Sequence, residues 1–144
     1  FSRAFQILIK YDPFAIAKRT SYKQKVDFDI LLEIEKGNIS IESVIARNYT
    51  FQNLTHLNKA YKEWLDIDVR AILYKKKRIG KSVDFLENRI SEIIQYRHGI
   101  VHHFELDRTL NRDGYIHILD AIEKSIIEFI HYIEGKYKFK LNAY

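Results

Sequence analysis

The sequence predicts an all-α protein, an antiparallel bundle of four to six helices, and three observations carry that prediction. Apolar residues recur at intervals of three and four over most of the chain. Asp, Ser and Thr, residues that start helices, stand before these stretches, and Gly or Asn stands after them. One Pro and five Gly interrupt 144 residues that are 47% hydrophobic, so the apolar faces are large enough to form a core.

The elements follow in chain order. Aromatic and aliphatic residues from Phe1 to Ile9 predict a first helix. At Asp12-Pro13 the Asp caps and the Pro takes the first position of a following turn, which reaches about Lys18. From Val26 to Lys36, one stripe carries Val26, Ile30, Leu31 and Ile34, and Gly37-Asn38 ends it. Ser40 caps a short helix through Ala46. Thr50 caps a longer one with Phe51, Leu54, Leu57, Tyr61 and Trp64 or Leu65 at helical spacing, which makes Trp64 a core or interface residue.

Ile67 to Leu73 is short and ambiguous, and Lys75-Lys76-Lys77-Arg78-Ile79-Gly80-Lys81 reads as a basic loop. Ser82 or Asp84 caps a helix in which Phe85, Leu86, Arg89, Ile90, Ile93, Ile94, Arg97 and Val101 keep a 3.6-residue period to about His103. A polar turn, Asn111-Arg112-Asp113-Gly114, precedes the longest amphipathic helix, marked from Ile116 to Ile133 and closed by Gly135. The tail from Lys136 to Leu141 alternates basic with apolar residues and reads as a frayed end in preference to a strand or a nucleic-acid-contacting arm.

Composition narrows the function classes. Without Cys there is no disulfide, thiolate zinc site or cysteine nucleophile, and a reducing cytoplasm fits best. No uncharged apolar stretch of about 18 residues exists, and Phe1-Ser2-Arg3-Ala4-Phe5 lacks the pattern of a signal peptide. The length predicts a single domain over residues 1–144, and the absence of Met suggests a piece of a longer product with flanking domains. A net charge of +5 and a pI near 9.3 favour a polyanionic partner through phosphate neutralisation, although a lysine-rich solvated face gives the same sign.

Two motifs fail on their own terms. Gly80-Lys81-Ser82 resembles the end of a phosphate-binding loop, but Lys75 stands where that loop needs Gly. His98 and His102 have a metal-ligand spacing, yet Gly99 replaces the general base of the zinc proteases, and a third ligand has to come from Glu105 or His117. No metal or other cofactor is expected.

The constellation that remains is Gln95-Tyr96-Arg97-His98-Gly99-Ile100-Val101-His102-His103, at the end of a greasy helix. An Arg five residues before a His is cheap, since nine Arg and six His produce about 0.4 such pairs by chance. A plain alternative is a helix C-terminus where His102 and His103 meet the negative end of the dipole and Arg97 pairs with Glu92.

Here the chain resembles the RiboL-PSP branch of the HEPN superfamily, whose signature is Arg, then Asn, Asp or His, then a few residues, then His. Arg97, His98 and His102 match those positions. Ile100-Val101-His102-His103 is similar to the branch's ending of that helix, Asp113-Gly114 to its following turn, and Phe51-Gln52-Asn53-Leu54 through Asp66-Ile67-Asp68 to its preceding helix. His103 followed by Phe104-Glu105 departs from the pattern, which there has a basic or polar residue and a Gly-containing turn. The resemblance implies a HEPN-like helical domain and a metal-independent endoribonuclease, or in some members a non-catalytic RNA-binding relative. It also implies a setting in bacterial defence or toxin-antitoxin systems, with an antitoxin or an adjacent domain as a further partner.

The residue chemistry fits RNA cleavage without metal, which needs a base for the ribose 2′-hydroxyl, an acid for the leaving 5′-oxygen and a cation for the phosphorane charge. Histidine titrates near neutrality and arginine does not, so His102 suits proton transfer and Arg97 charge stabilisation. At about 100° per residue the two lie roughly 140° apart around an ideal helix. They converge only if Arg97 reaches round, if the helix loosens at Gly99, or if two copies meet across a two-fold axis. A homodimer with its active site in the interface is therefore expected, and His98 steers within that groove. Lys75, Lys76, Lys77, Arg78 and Lys81, with His103, are the expected RNA-backbone contacts.

Overall fold

The computed structural model describes residues 1–103 and 111–140. The all-α expectation holds: eight α-helices and one two-stranded hairpin make up the described structure. There are more helices than the four to six expected, because closely spaced caps cut several short. The chain forms two compact units, Phe1–Asp68 and Val69–Tyr144.

The first unit contains α1 (Ser2–Tyr11), α2 (Pro13–Ser21), α3 (Phe28–Glu35), α4 (Ile41–Arg47) and α5 (Leu54–Leu65). Asp12 caps α2 by accepting from the Ala15 N–H at 3.0 Å, with Pro13 in the first turn. Ser40 caps α4 in the same way, and Gly37 at φ +75° follows α3. Asn53, rather than Thr50, caps α5, accepting from the His56 N–H at 2.8 Å, while the Thr50 hydroxyl bonds the His56 ring at 2.6 Å. Helix α1 packs on α2, α4 and α5.

Its core is aromatic. The Phe5 ring lies 5.3 Å from Tyr61, 5.4 Å from Phe51 and 6.0 Å from Tyr49. Trp64 is fully buried as a core residue, and its indole N–H donates to the Tyr49 hydroxyl at 2.7 Å. The Tyr61 hydroxyl donates to the Phe1 carbonyl, and burial pushes that phenol above its usual range. Arg19 pairs with Glu42 at 2.9 Å. Burial pushes the Glu42 carboxyl up, but its own backbone N–H, the Ser40 hydroxyl and Arg19 outweigh burial and hold it low.

The second unit contains α6 (Val69–Leu73), β1 (Lys76–Ile79), β2 (Ser82–Phe85), α7 (Leu86–His103) and α8 (Arg112–Tyr137). Helices α6, α7 and α8 pack on one another, and β1 packs on α8. The expected basic loop is instead an antiparallel hairpin with Lys76 opposite Phe85, Lys77 opposite Asp84, Arg78 opposite Val83 and Ile79 opposite Ser82. Its two-residue turn has Gly80 at φ +58° and Lys81 outside the left-handed region, the pattern of a type II′ turn. Ser82 and Asp84 therefore lie in a strand and do not cap α7.

Helix α8 also differs from expectation at both ends. Asn111 accepts from the Gly114 N–H at 3.0 Å and caps it, so Arg112-Asp113-Gly114 form its first turn. Gly135 lies inside the helix, which Lys138 closes at φ +56°. Of the tail, Leu141 lies outside the described residues.

Two ion-pair clusters fasten the hairpin to α8. Glu128, 7% exposed, receives the Lys75 ammonium at 2.6 Å and that of Lys77 at 2.5 Å, and these two contacts hold its carboxyl below the usual range. Lys124 binds Asp120 at 2.7 Å and donates to the Arg78 carbonyl at 2.5 Å. Asp120 is held low by Lys124 first, with help from the Gly80 N–H.

Candidate functional site

Helix α7 carries the expected site at its C-terminal end. Glu87 in its first turn and His102 and His103 in its last match the helix dipole. The helix runs unbroken through Gly99 to His103, so it does not loosen there. Regular geometry then leaves Arg97 about 140° from His102 and His98 only about 40° from it.

The imidazoles gather as that geometry dictates. The His98 ring lies 4.3 Å from His102 and 5.9 Å from His103, centroid to centroid. All three are exposed, and Arg97 is exposed as well. The three imidazoles lie together, and Arg97 leaves the helix on another side. The plain pairing of Arg97 with Glu92 does not form: the two lie about 140° apart around the helix, and Glu92 pairs with Arg89 at 2.9 Å. The apolar stripe of α7 is only partly covered: Ile93, Ile94 and Ile100 are half-buried, and Val101 is 53% exposed.

Among the described residues no group of three His, Asp or Glu is placed to hold a metal ion. His117, one expected third ligand, lies against the hairpin turn, where a Cβ on Gly80 would come within 2.0 Å of its Nε2. Glu105, the other, lies outside the described residues, as does the Phe104-Glu105 departure from the family pattern.

The basic residues separate into two sets. Lys75 and Lys77 are tied to Glu128. Lys76 lies over the Phe85 ring, 5.2 Å from its centroid, and Arg78 and Lys81 are exposed. His103 stays with the imidazole cluster.

A cavity of about 260 Å³ between the hairpin, α7 and α8 has Ser82, Arg89, Tyr96 and His117 among its lining. Sequence reasoning missed it, because its walls exist only once the unforeseen hairpin folds onto the two helices. The Arg89 charge is met by Asp84 at 3.1 Å and by Glu92, so the cavity offers no uncommitted cation.

No family model, no curated protein and no solved structure matches the chain. Among the described residues no helix is long and apolar enough to cross a membrane.

Proposed function

We propose that this chain is a metal-independent endoribonuclease of the HEPN type that works as a homodimer. Arg97 stabilises phosphate charge, His102 performs acid-base chemistry on the 2′-hydroxyl and the leaving oxygen, and His98 steers. The observation that carries the reading is the exposed His98-His102 pair at the end of an unbroken helix, with Arg97 exposed one residue earlier on a different side.

That arrangement supplies imidazoles from one face and requires a guanidinium from a second copy. Exposed apolar residues support such a partner: Ile116, Leu119, Ile126 and Ile127 on α8 are each at least 40% exposed. The cytoplasm is the proposed compartment, bacterial defence or a toxin-antitoxin pair the proposed setting, and an antitoxin or neighbouring domain a further partner.

The second reading, a catalytically silent HEPN module that dimerises or senses RNA, rests on the same exposed apolar residues without the chemistry. A labelled RNA and its all-2′-deoxy counterpart, each incubated with the protein in excess EDTA, separate the two. Cleavage of the RNA alone is expected. Binding without cleavage favours the silent module, and cleavage that appears only when a divalent metal is added overturns the metal-independent mechanism.

A further inference from the structure

The hairpin splits its cations by strand alternation. Cross-strand partners share a face, so Lys77, Ile79, Ser82 and Asp84 form one side and Lys76, Arg78, Val83 and Phe85 the other. The first side faces the helices: Lys77 binds Glu128, Ile79 is 2% exposed and Asp84 pairs with Arg89. From Tyr74 to Phe85 the single carboxylate is Asp84, and it lies on that inward side. The outward side therefore carries two cations, the aromatic Phe85 and the aliphatic Val83, and no carboxylate.

The aromatic part is a platform. Tyr74 stacks on Phe85 with centroids 4.5 Å apart and planes at 16°, and the Lys76 ammonium lies over Phe85. Tyr74 is 64% exposed although Phe85 covers one of its faces, so its other face is open to solvent. Arg78 is exposed on the same outward side, and Lys81 is exposed in the turn at the far end of the hairpin.

We infer that this outward face docks single-stranded RNA, with one base stacked on Tyr74 and the phosphates held by Lys76, Arg78 and Lys81. An open aromatic face accepts any unpaired base, and the flanking ammonium and guanidinium groups follow its backbone. In a duplex the base faces are already covered by their neighbours, so only the phosphate contacts remain. The inference rests on the ribonuclease reading in naming unpaired RNA as the substrate, but it stands on different residues. Arg97 lies about 16 Å further along α7 than Leu86, the residue after Phe85, at about 1.5 Å per residue, so one strand can span platform and site.

Fluorescence anisotropy of a short labelled oligouridine, titrated with protein in the His102→Ala background so that it stays intact, tests this. Tyr74→Ala weakens binding by about tenfold, whereas Tyr74→Phe stays within about twofold. Replacing both Lys76 and Arg78 by Ala lowers the salt slope by about 1.4, and Lys75→Ala leaves it unchanged. Duplex RNA or an acidic peptide binding as tightly as the single strand overturns the inference, as does equal affinity of Tyr74→Ala and Tyr74→Phe. If the strand binds as described but the unmutated chain leaves it uncut, the ribonuclease reading falls and the platform stands. If the Tyr74→Ala chain cuts RNA as efficiently at limiting substrate as the unmutated one, the platform falls and the ribonuclease stands.

Discussion

His98 and His102 stand one turn apart on α7 with ring centroids 4.3 Å apart. On the proposed ribonuclease reading that closeness assigns His98 an assisting role: it hydrogen-bonds His102 or the substrate without taking the transferred proton. His98→Ala then slows RNA cleavage by roughly five- to tenfold, the net worth of about one hydrogen bond. Steady-state rates at saturating RNA check this, and a loss as large as that of His102→Ala contradicts it.

The hairpin depends on Gly80. At φ +58°, with the His117 ring where a Cβ would go, any side chain is strained. Gly80→Ala is expected to cost about 1–2 kcal/mol, read from urea denaturation followed by far-UV circular dichroism. An unchanged midpoint excludes the II′ turn.

Acid weakens the second unit through Glu128 and Asp120. Both carboxyls are held below their usual range, by Lys75 and Lys77 and by Lys124 respectively. Their contribution is complete above the unfolded carboxylate values near pH 4 and is lost as pH falls through the lower folded values. The partner lysines of Glu128 are 51% and 39% exposed, so water screens the pairs and the worth of Glu128 is about 1 kcal/mol. Denaturation midpoints fall from about pH 6 to about pH 3, and they fall less in Glu128→Gln. Equal falls in the two proteins contradict the assignment.

Trp64, the sole tryptophan, reports on the first unit alone. Tyr49→Phe leaves its buried indole N–H without the hydroxyl acceptor, at a cost of about 1–3 kcal/mol. Urea unfolding followed by Trp64 fluorescence should move to lower denaturant, and an unmoved transition shows that the bond contributes nothing.

The helices were legible wherever a cap and an apolar period agreed. Asp12-Pro13 and Ser40 each mark a true helix start, and Trp64 lies in the core its spacing assigned. The hairpin was not legible, because charge conceals its alternation: Lys77 faces inward only because Glu128, some fifty residues later, neutralises it. The same long-range pairing hid the division of the basic run into fastening lysines and an outward face. At the site, spacing alone placed His98 beside His102 and Arg97 on another side, since a regular helix fixes both. What spacing could not supply is the apolar surface the fold leaves uncovered, on which the proposed second copy rests.

The decisive measurement for the proposed ribonuclease is the rate of RNA cleavage in excess EDTA by the unmutated chain, Arg97→Ala and His102→Ala. Both side chains are exposed, so the variants keep their helical circular dichroism. Cleavage by the unmutated chain and losses of at least about 100-fold in each variant are expected. Undiminished cleavage by either folded variant contradicts the proposal.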